Sequence, residues 1–108
     1  MSLSLDALLR ALADERRRRI LSILRTHRSV TLADLADELA ATERGEPLPD
    51  VPAEEVEQLY AELYHQHVPT LEAADLVRYD QERDLVAVTD LGVDVVTTVH
   101  QRLAAELE

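Results

Sequence analysis

The sequence predicts one mainly α-helical domain that carries a small β-hairpin. Three observations predict it. Apolar residues recur at steps of three and four through most of the chain, the period of helices with one buried face. Two short β-rich runs, Leu76 to Asp80 and Leu85 to Thr89, flank Gln81-Glu82-Arg83-Asp84, a hairpin pattern. A length of 108 residues with 46% apolar side chains is enough for one core and too little for two.

The elements follow in order. Leu5, Leu8, Leu9 and Leu12 set a first helix over Leu3 to Ala13. A second, Glu15 to His27, turns Ile20, Leu21, Ile23 and Leu24 inward and Arg18, Ser22 and Arg25 outward. Ser29 and Val30 read as a short break. Thr31 is a good N-cap, with Asp34 three residues on, for a third helix from about Leu32 to Ala41. Glu43 to Pro52 holds one Gly and three of the four prolines and reads as a loop. Pro52 suits the first turn of a fourth helix, Ala53 to about Val68, with Val56, Leu59, Tyr60, Leu63 and His67 inward. Pro69 lacks an amide proton and is expected to kink or interrupt it. After the hairpin, Thr89 or Asp90 caps a last helix, Leu91 to about Leu107. This is the order of a winged helix-turn-helix with an extra C-terminal helix: one domain, with 3–90 as the winged core and 91–107 as the closing helix.

Composition narrows the classes. The formal net charge is −11, from 22 acidic and 11 basic side chains, and every basic one is Arg. Carboxylates stay hydrated in concentrated salt, so an acidic chain without Lys points to a halophile. A GC-rich genome explains the Arg preference but not the acidic excess. The apolar content rules out a disordered acidic tail. The absence of Cys removes disulfides, thiolate zinc sites and cysteine nucleophiles. No apolar run approaches the ~20 residues needed to span a bilayer, and no charged-then-apolar leader opens the chain. The expected location is the cytoplasm. No nucleophile elbow, phosphate loop or metalloprotease motif occurs, so no enzyme and no cofactor are expected.

Several short motifs carry a resemblance. Leu8 to Asp14 followed by Arg19-Ile20-Leu21 looks like the opening of ArsR-type regulators, and Thr31 to Ala36 resembles their first helix-turn-helix segment. Leu71 to Val77 resembles the end of a recognition helix, and Val88-Thr89-Asp90-Leu91-Gly92 the wing exit of MarR-type proteins. The chain is also similar to a family of small haloarchaeal winged-helix proteins through Arg18-Arg19, Ala40 to Glu43, His67 to Leu71 and Tyr79-Asp80. The resemblance spans roughly residues 5 to 92. It implies a dimeric transcriptional regulator that binds double-stranded DNA.

A winged helix docks its second motif helix in the major groove while the hairpin approaches the flanking backbone. The groove candidates are Gln58, His65 and Gln66, with Tyr64 as a further one; Gln pairs with adenine edges. Arg78 and Arg83 are the wing candidates, and Arg18, Arg25 and Arg28 the backbone candidates from the second helix. Against this stands the fourth helix itself, with Glu54, Glu55, Glu57 and Glu62 and no basic residue. The alternative is therefore a module that has kept the fold and docks a basic partner protein. Arginines converging beside Gln58 and His65 favour DNA; scattered and neutralised ones favour the partner. The run Arg16 to Arg19 points in all directions on a helix and reads as structural rather than as a phosphate grip. His65 and His67 lie two apart and cannot share one ion, so no metal is expected. The three tyrosines read as core fillers. Leu5, Leu9, Val96, Val99, Leu103 and Leu107 are expected to form a two-fold dimer interface through the terminal helices.

Overall fold

The computed structural model describes the backbone of residues 4–107 and the side chains of residues 4–102. The elements are α1 (Leu5–Leu12), α2 (Glu15–His27), β1 (Ser29–Thr31), α3 (Leu32–Arg44), a 3-10 turn (Leu48–Asp50), α4 (Ala53–Glu62), a π turn (Leu63–His67), α5 (Val68–Ala73), β2 (Val77–Asp80), β3 (Leu85–Val88) and α6 (Asp90–Leu107). Mainly helical, with a small antiparallel sheet between the motif helices and a closing helix, this is the winged helix-turn-helix arrangement with one helix added at its C-terminal end.

Side-chain caps start four of the helices; at α6 the Thr89 hydroxyl accepts from the Gly92 N–H at 2.9 Å, the cap expected there. Ser4 accepts from the Ala7 N–H, Asp14 from those of Arg16 and Arg17, and Thr31 from that of Asp34. Each satisfies amides that have no partner in the first helical turn. Gly45, at φ 67°, ends α3 in the left-handed conformation that favours glycine. Gly92 serves a close approach: a Cβ there would stand 2.3 Å from the Leu76 carbonyl oxygen, so its absence lets α6 leave the base of the hairpin.

Two expectations need correction. Ser29 and Val30 are a strand, not a break. Ser29 pairs with Ala87 and Thr31 with Leu85, giving the strand order β1-β3-β2. Buried Val86 lies opposite Val30, so the β-branched residue has an apolar partner across the strands. The fourth helix also stops short of Val68: its α geometry ends at Glu62, ahead of Pro69. The chain widens into the π turn just before it, where the Val68 N–H reaches the Leu63 carbonyl, and Pro69 then falls in the first turn of α5. A first-turn proline loses no hydrogen bond. The helical path therefore continues as a long rod from 53 to 73, with its α geometry broken by the π turn.

The core is built from Ile20, Leu21 and Leu24 of α2, Leu32, Leu35 and Leu39 of α3, Leu63 and Leu71 of the long rod, and Val77 and Val86 of the sheet, all buried. α1 packs on α2 and α5, whereas α6 packs on α2 and β3. Among the described residues no helix is long and apolar enough to cross a membrane.

Candidate macromolecular interface

The face that a winged helix presents to a duplex is made here by α3, the 45–52 loop, α4 and the hairpin tip. The helical phase of α4 brings Glu54, Glu57, Gln58 and Ala61 to one exposed stripe, and the exposed His65 and Gln66 of the π turn follow it. Gln58, His65 and Gln66 are thus all exposed. The leading half of the stripe carries Glu54 and Glu57, and neither is ion-paired among the described residues.

One flank is an ion-pair network. Arg16 reaches Glu43 at 2.7 Å and Glu62 at 2.6 Å. Arg44 reaches Glu55 at 2.5 Å and Glu46 at 3.4 Å. The Glu43 hydrogen bonds push the Arg16 pKa up, against the cost of its partial burial. Two arginines face four glutamates, so the flank stays acidic.

The other flank is a knot of three tyrosines. The Tyr60 and Tyr79 hydroxyls both donate to Asp84 Oδ1, at 3.0 and 2.5 Å. Gln81 Nε2 donates to the Tyr64 hydroxyl at 3.1 Å, and the Leu32 N–H donates to the Asp84 carbonyl at 2.7 Å. Asp84 holds φ at 53° to do this. Burial pushes the Tyr60 and Tyr79 pKa values up, and the hydrogen bond to Asp84 adds to it. The tyrosines are half-buried fillers as expected. What the sequence reading missed is Asp84, which ties the hairpin tip to α4 and α3.

The five candidate arginines do not converge. Arg83 alone stands at the tip, exposed and 3.7 Å from Asp80. Arg78 pairs with Asp75 at 2.9 Å. Arg28 precedes β1 at the base of the hairpin, where its carbonyl accepts from the Val88 N–H. Arg18 donates to the Leu12 carbonyl at 2.7 Å and lines a shallow groove with Ser22, Val99 and His100. Arg25, a further turn along that Arg18-Ser22 face, is exposed at the end of α2. Arg18, Arg25 and Arg28 therefore belong to the α6 side and the sheet base, not to the α4 face. The reason is that Ile20, Leu21 and Leu24 fill the core, which turns the opposite side of α2 toward α6.

The rest of the arginine run is structural. Arg17 is buried, 7% exposed. Its guanidinium donates to the carbonyls of Ala11 (3.0 Å) and Arg10 (2.8 Å) and to Nδ1 of His67 (3.2 Å). It closes the C-terminal end of α1, where cations are favoured. Burial pushes the His67 pKa down, and the Arg17 and Arg16 charges push it further. Burial opposes the Asp14 charge, but the Arg17 N–H, the nearby positive charges and the Arg16 N–H outweigh it and hold its carboxyl below the ordinary range. Arg19 pairs with Glu15 at 3.0 Å.

Between α3 and α4 an open groove of 480 Å³ is lined by Ala36, Leu48, Val51, Val56 and Tyr60, with Asp37 and Glu57. Its loop wall could have been read from Leu48 and Val51, two apolar residues inside a stretch otherwise rich in charge and proline. No three His, Asp or Glu side chains are placed to hold a metal ion among the described residues.

The expected dimer surface divides. Leu5 and Leu9 are 66% and 56% exposed. Val96 is buried within its own chain and is not available to a partner, because the apolar stripe of α6 lies against α2 and β3. Val99 is half-buried beside Arg18. The side chains of Leu103 and Leu107 lie outside the described residues.

A family described as a domain of unknown function, DUF7344, matches residues 9–87. No curated protein and no solved structure matches the chain.

Proposed function

The chain belongs to the DUF7344 family, and from that premise we propose that it is a winged-helix binding module whose α4 face docks a basic segment of a partner protein. The matched stretch contains every element of that face and stops short of α6. The observation that carries the reading is the leading stripe of α4. The end of the helix that would enter a groove first bears Glu54 and Glu57, and the candidate arginines lie elsewhere. A duplex carries one negative charge per ~1.7 Å of its axis. At ~1 M salt the Debye length falls to ~3 Å, which removes the effect of net charge but not of carboxylates at contact range. A basic segment meets the same surface with complementary charge, which sets approach and register.

Parallel selections in molar KCl test it, one from a random duplex pool and one from a displayed random peptide library. Arg-rich peptides whose capture is lost in Glu54→Gln with Glu57→Gln are the expected result. A duplex consensus with no peptide enrichment would overturn it.

A second reading, a DNA-binding transcriptional regulator, is favoured by one specific observation. The trailing half of the stripe and the π turn after it are uncharged, with Gln58, Ala61, His65 and Gln66 exposed on the same side of the fold as the tip that carries Arg83. In that reading these residues meet bases and Arg83 a phosphate. We further propose a homodimer in which Leu5 and Leu9 meet their copies, and a halophilic host. Light scattering in molar KCl is expected to give twice the monomer mass of 12.1 kDa, and Leu9→Glu to halve it. A wild-type particle at the monomer mass would contradict the dimer.

A further inference from the structure

The long connection between α3 and α4 does more than join two helices. Gly45 turns the chain away from the end of α3, and the Leu48–Asp50 turn brings it back to Val51, which is buried. Leu48 is left 37% exposed, although its neighbours are Glu46, Pro47, Pro49 and Asp50. This detour forms one wall of the 480 Å³ groove; α3 contributes Ala36, and α4 contributes Val56 and Tyr60. Tyr60 is fixed there by its hydrogen bond to Asp84. The walls are therefore apolar and held in place before anything binds. A pocket of this size is in the range that takes a ligand or a large side chain.

The lining contains two carboxylates, Asp37 and Glu57, and no basic residue. On the far side of α4, Glu55 and Glu62 are engaged by Arg44 and Arg16. Asp37 and Glu57 have no such partner among the described residues. An apolar floor between two free carboxylates is complementary to an apolar side chain flanked by cationic ones.

We propose that this groove is the anchor pocket of the docking face, taking one large apolar side chain of a basic peptide segment while Asp37 and Glu57 hold the Arg or Lys on either side. The proposal rests on the reading that α4 docks a basic protein segment. It adds the anchor, which gives the contact its specificity: charge alone binds any basic chain, whereas a seated Leu or Phe selects sequence. It also gives the loop a role.

The test uses a fluorescent synthetic peptide in which one Leu stands among arginines, and its twin with Ala in that place. Anisotropy titrations are run at about 0.15 M and about 1 M KCl, where the Debye length is ~8 Å and ~3 Å. Wild-type protein is expected to bind the Leu peptide about tenfold more tightly than the twin, the effect of burying one large aliphatic side chain. The gap is expected to persist at high salt while both affinities fall. Ala33→Phe, at an exposed position that lines the groove, is expected to fill it and close the gap with its melting temperature unchanged. Equal binding of both peptides, weakened by Glu54→Gln, would overturn the anchor and leave the docking reading standing. A gap that survives Ala33→Phe would place the Leu elsewhere and overturn it as well. Binding of neither peptide would overturn both.

Discussion

Two helices carry the densest charge in the chain, and the direction of that charge differs between them. In α2 the arginine run is absorbed by the protein itself. Arg16 goes to Glu43 and Glu62, Arg17 to the end of α1 and to His67, Arg18 to the Leu12 carbonyl and Arg19 to Glu15. In α4 the glutamates divide. Glu55 and Glu62 are engaged by arginines, while Glu54 and Glu57 face outward unpaired among the described residues. A cluster of like charge is therefore satisfied within the chain in one helix and left partly facing solvent in the other. What separates them is whether carboxylates, carbonyls or other acceptors of the same chain stand within reach, which no count of charges reveals.

The sharpest way to break this comparison is to remove Arg17. Arg17→Ala leaves the Ala11 carbonyl and a histidine nitrogen buried without their donor, while the Arg10 carbonyl keeps the Ala13 N–H, and about 3 kcal/mol of stability is expected to go, read as a large fall in the denaturation midpoint. Arg17→Lys keeps the charge but not the planar fork, so it is expected to recover only part. A loss below about 1 kcal/mol for Arg17→Ala would mean that the buried guanidinium is replaceable.

Asp84→Ala tests the fixed flank of the face. It strips two tyrosine hydroxyls of their acceptor, and a cost of about 2 kcal/mol is expected. Amide exchange at 81–84 is expected to quicken more than exchange in α2. Uniform exchange would deny the knot a local role.

Acid titration sharpens the contrast further. The folded pKa of His67 is depressed, so between its ordinary value of 6.5 and that lower value the unfolded chain binds a proton that the folded chain does not. Stability is therefore expected to fall as pH drops below about 6.5. Asp14 adds to the loss further down, because its lowered pKa contributes stability above its ordinary range that disappears as it protonates. His67→Gln is expected to flatten the first segment and leave the second. A wild-type profile without slope just below pH 6.5 would contradict the buried neutral histidine.

The smallest expected effect on stability comes from the outward charge. Glu54→Gln with Glu57→Gln is expected to lower the melting temperature only slightly, through loss of the Glu54 charge from the first turn of α4, while binding of a basic peptide falls. A melting temperature lowered as far as by Arg17→Ala would put these glutamates in the same structural class as the arginines.

Much of the fold is legible in local sequence. The Thr31 cap, the four-residue hairpin turn and the apolar stripes of α2, α3 and α4 are short-range signals, and helical phase alone places Gln58 outside. What escapes is set by distant partners. β1 is three residues long and becomes a strand only through β3, more than fifty positions later. Arg17 and His67 are 50 residues apart and Tyr60 and Asp84 are 24 apart, so nothing near either pair announces it. The same holds for Arg18 and Arg25, whose exposure follows from their phase but whose neighbour, α6, follows from how the helices cross.

The most direct measurement is a comparison of amide chemical-shift maps, one with the Leu-bearing basic peptide and one with a duplex of mixed sequence, in the same KCl. Docking through the acidic leading face is expected to shift residues 33–37 and 48–60 with the peptide and to leave them unmoved with the duplex. Shifts confined to 58–66 and 81–84, seen with the duplex and absent with the peptide, would contradict it.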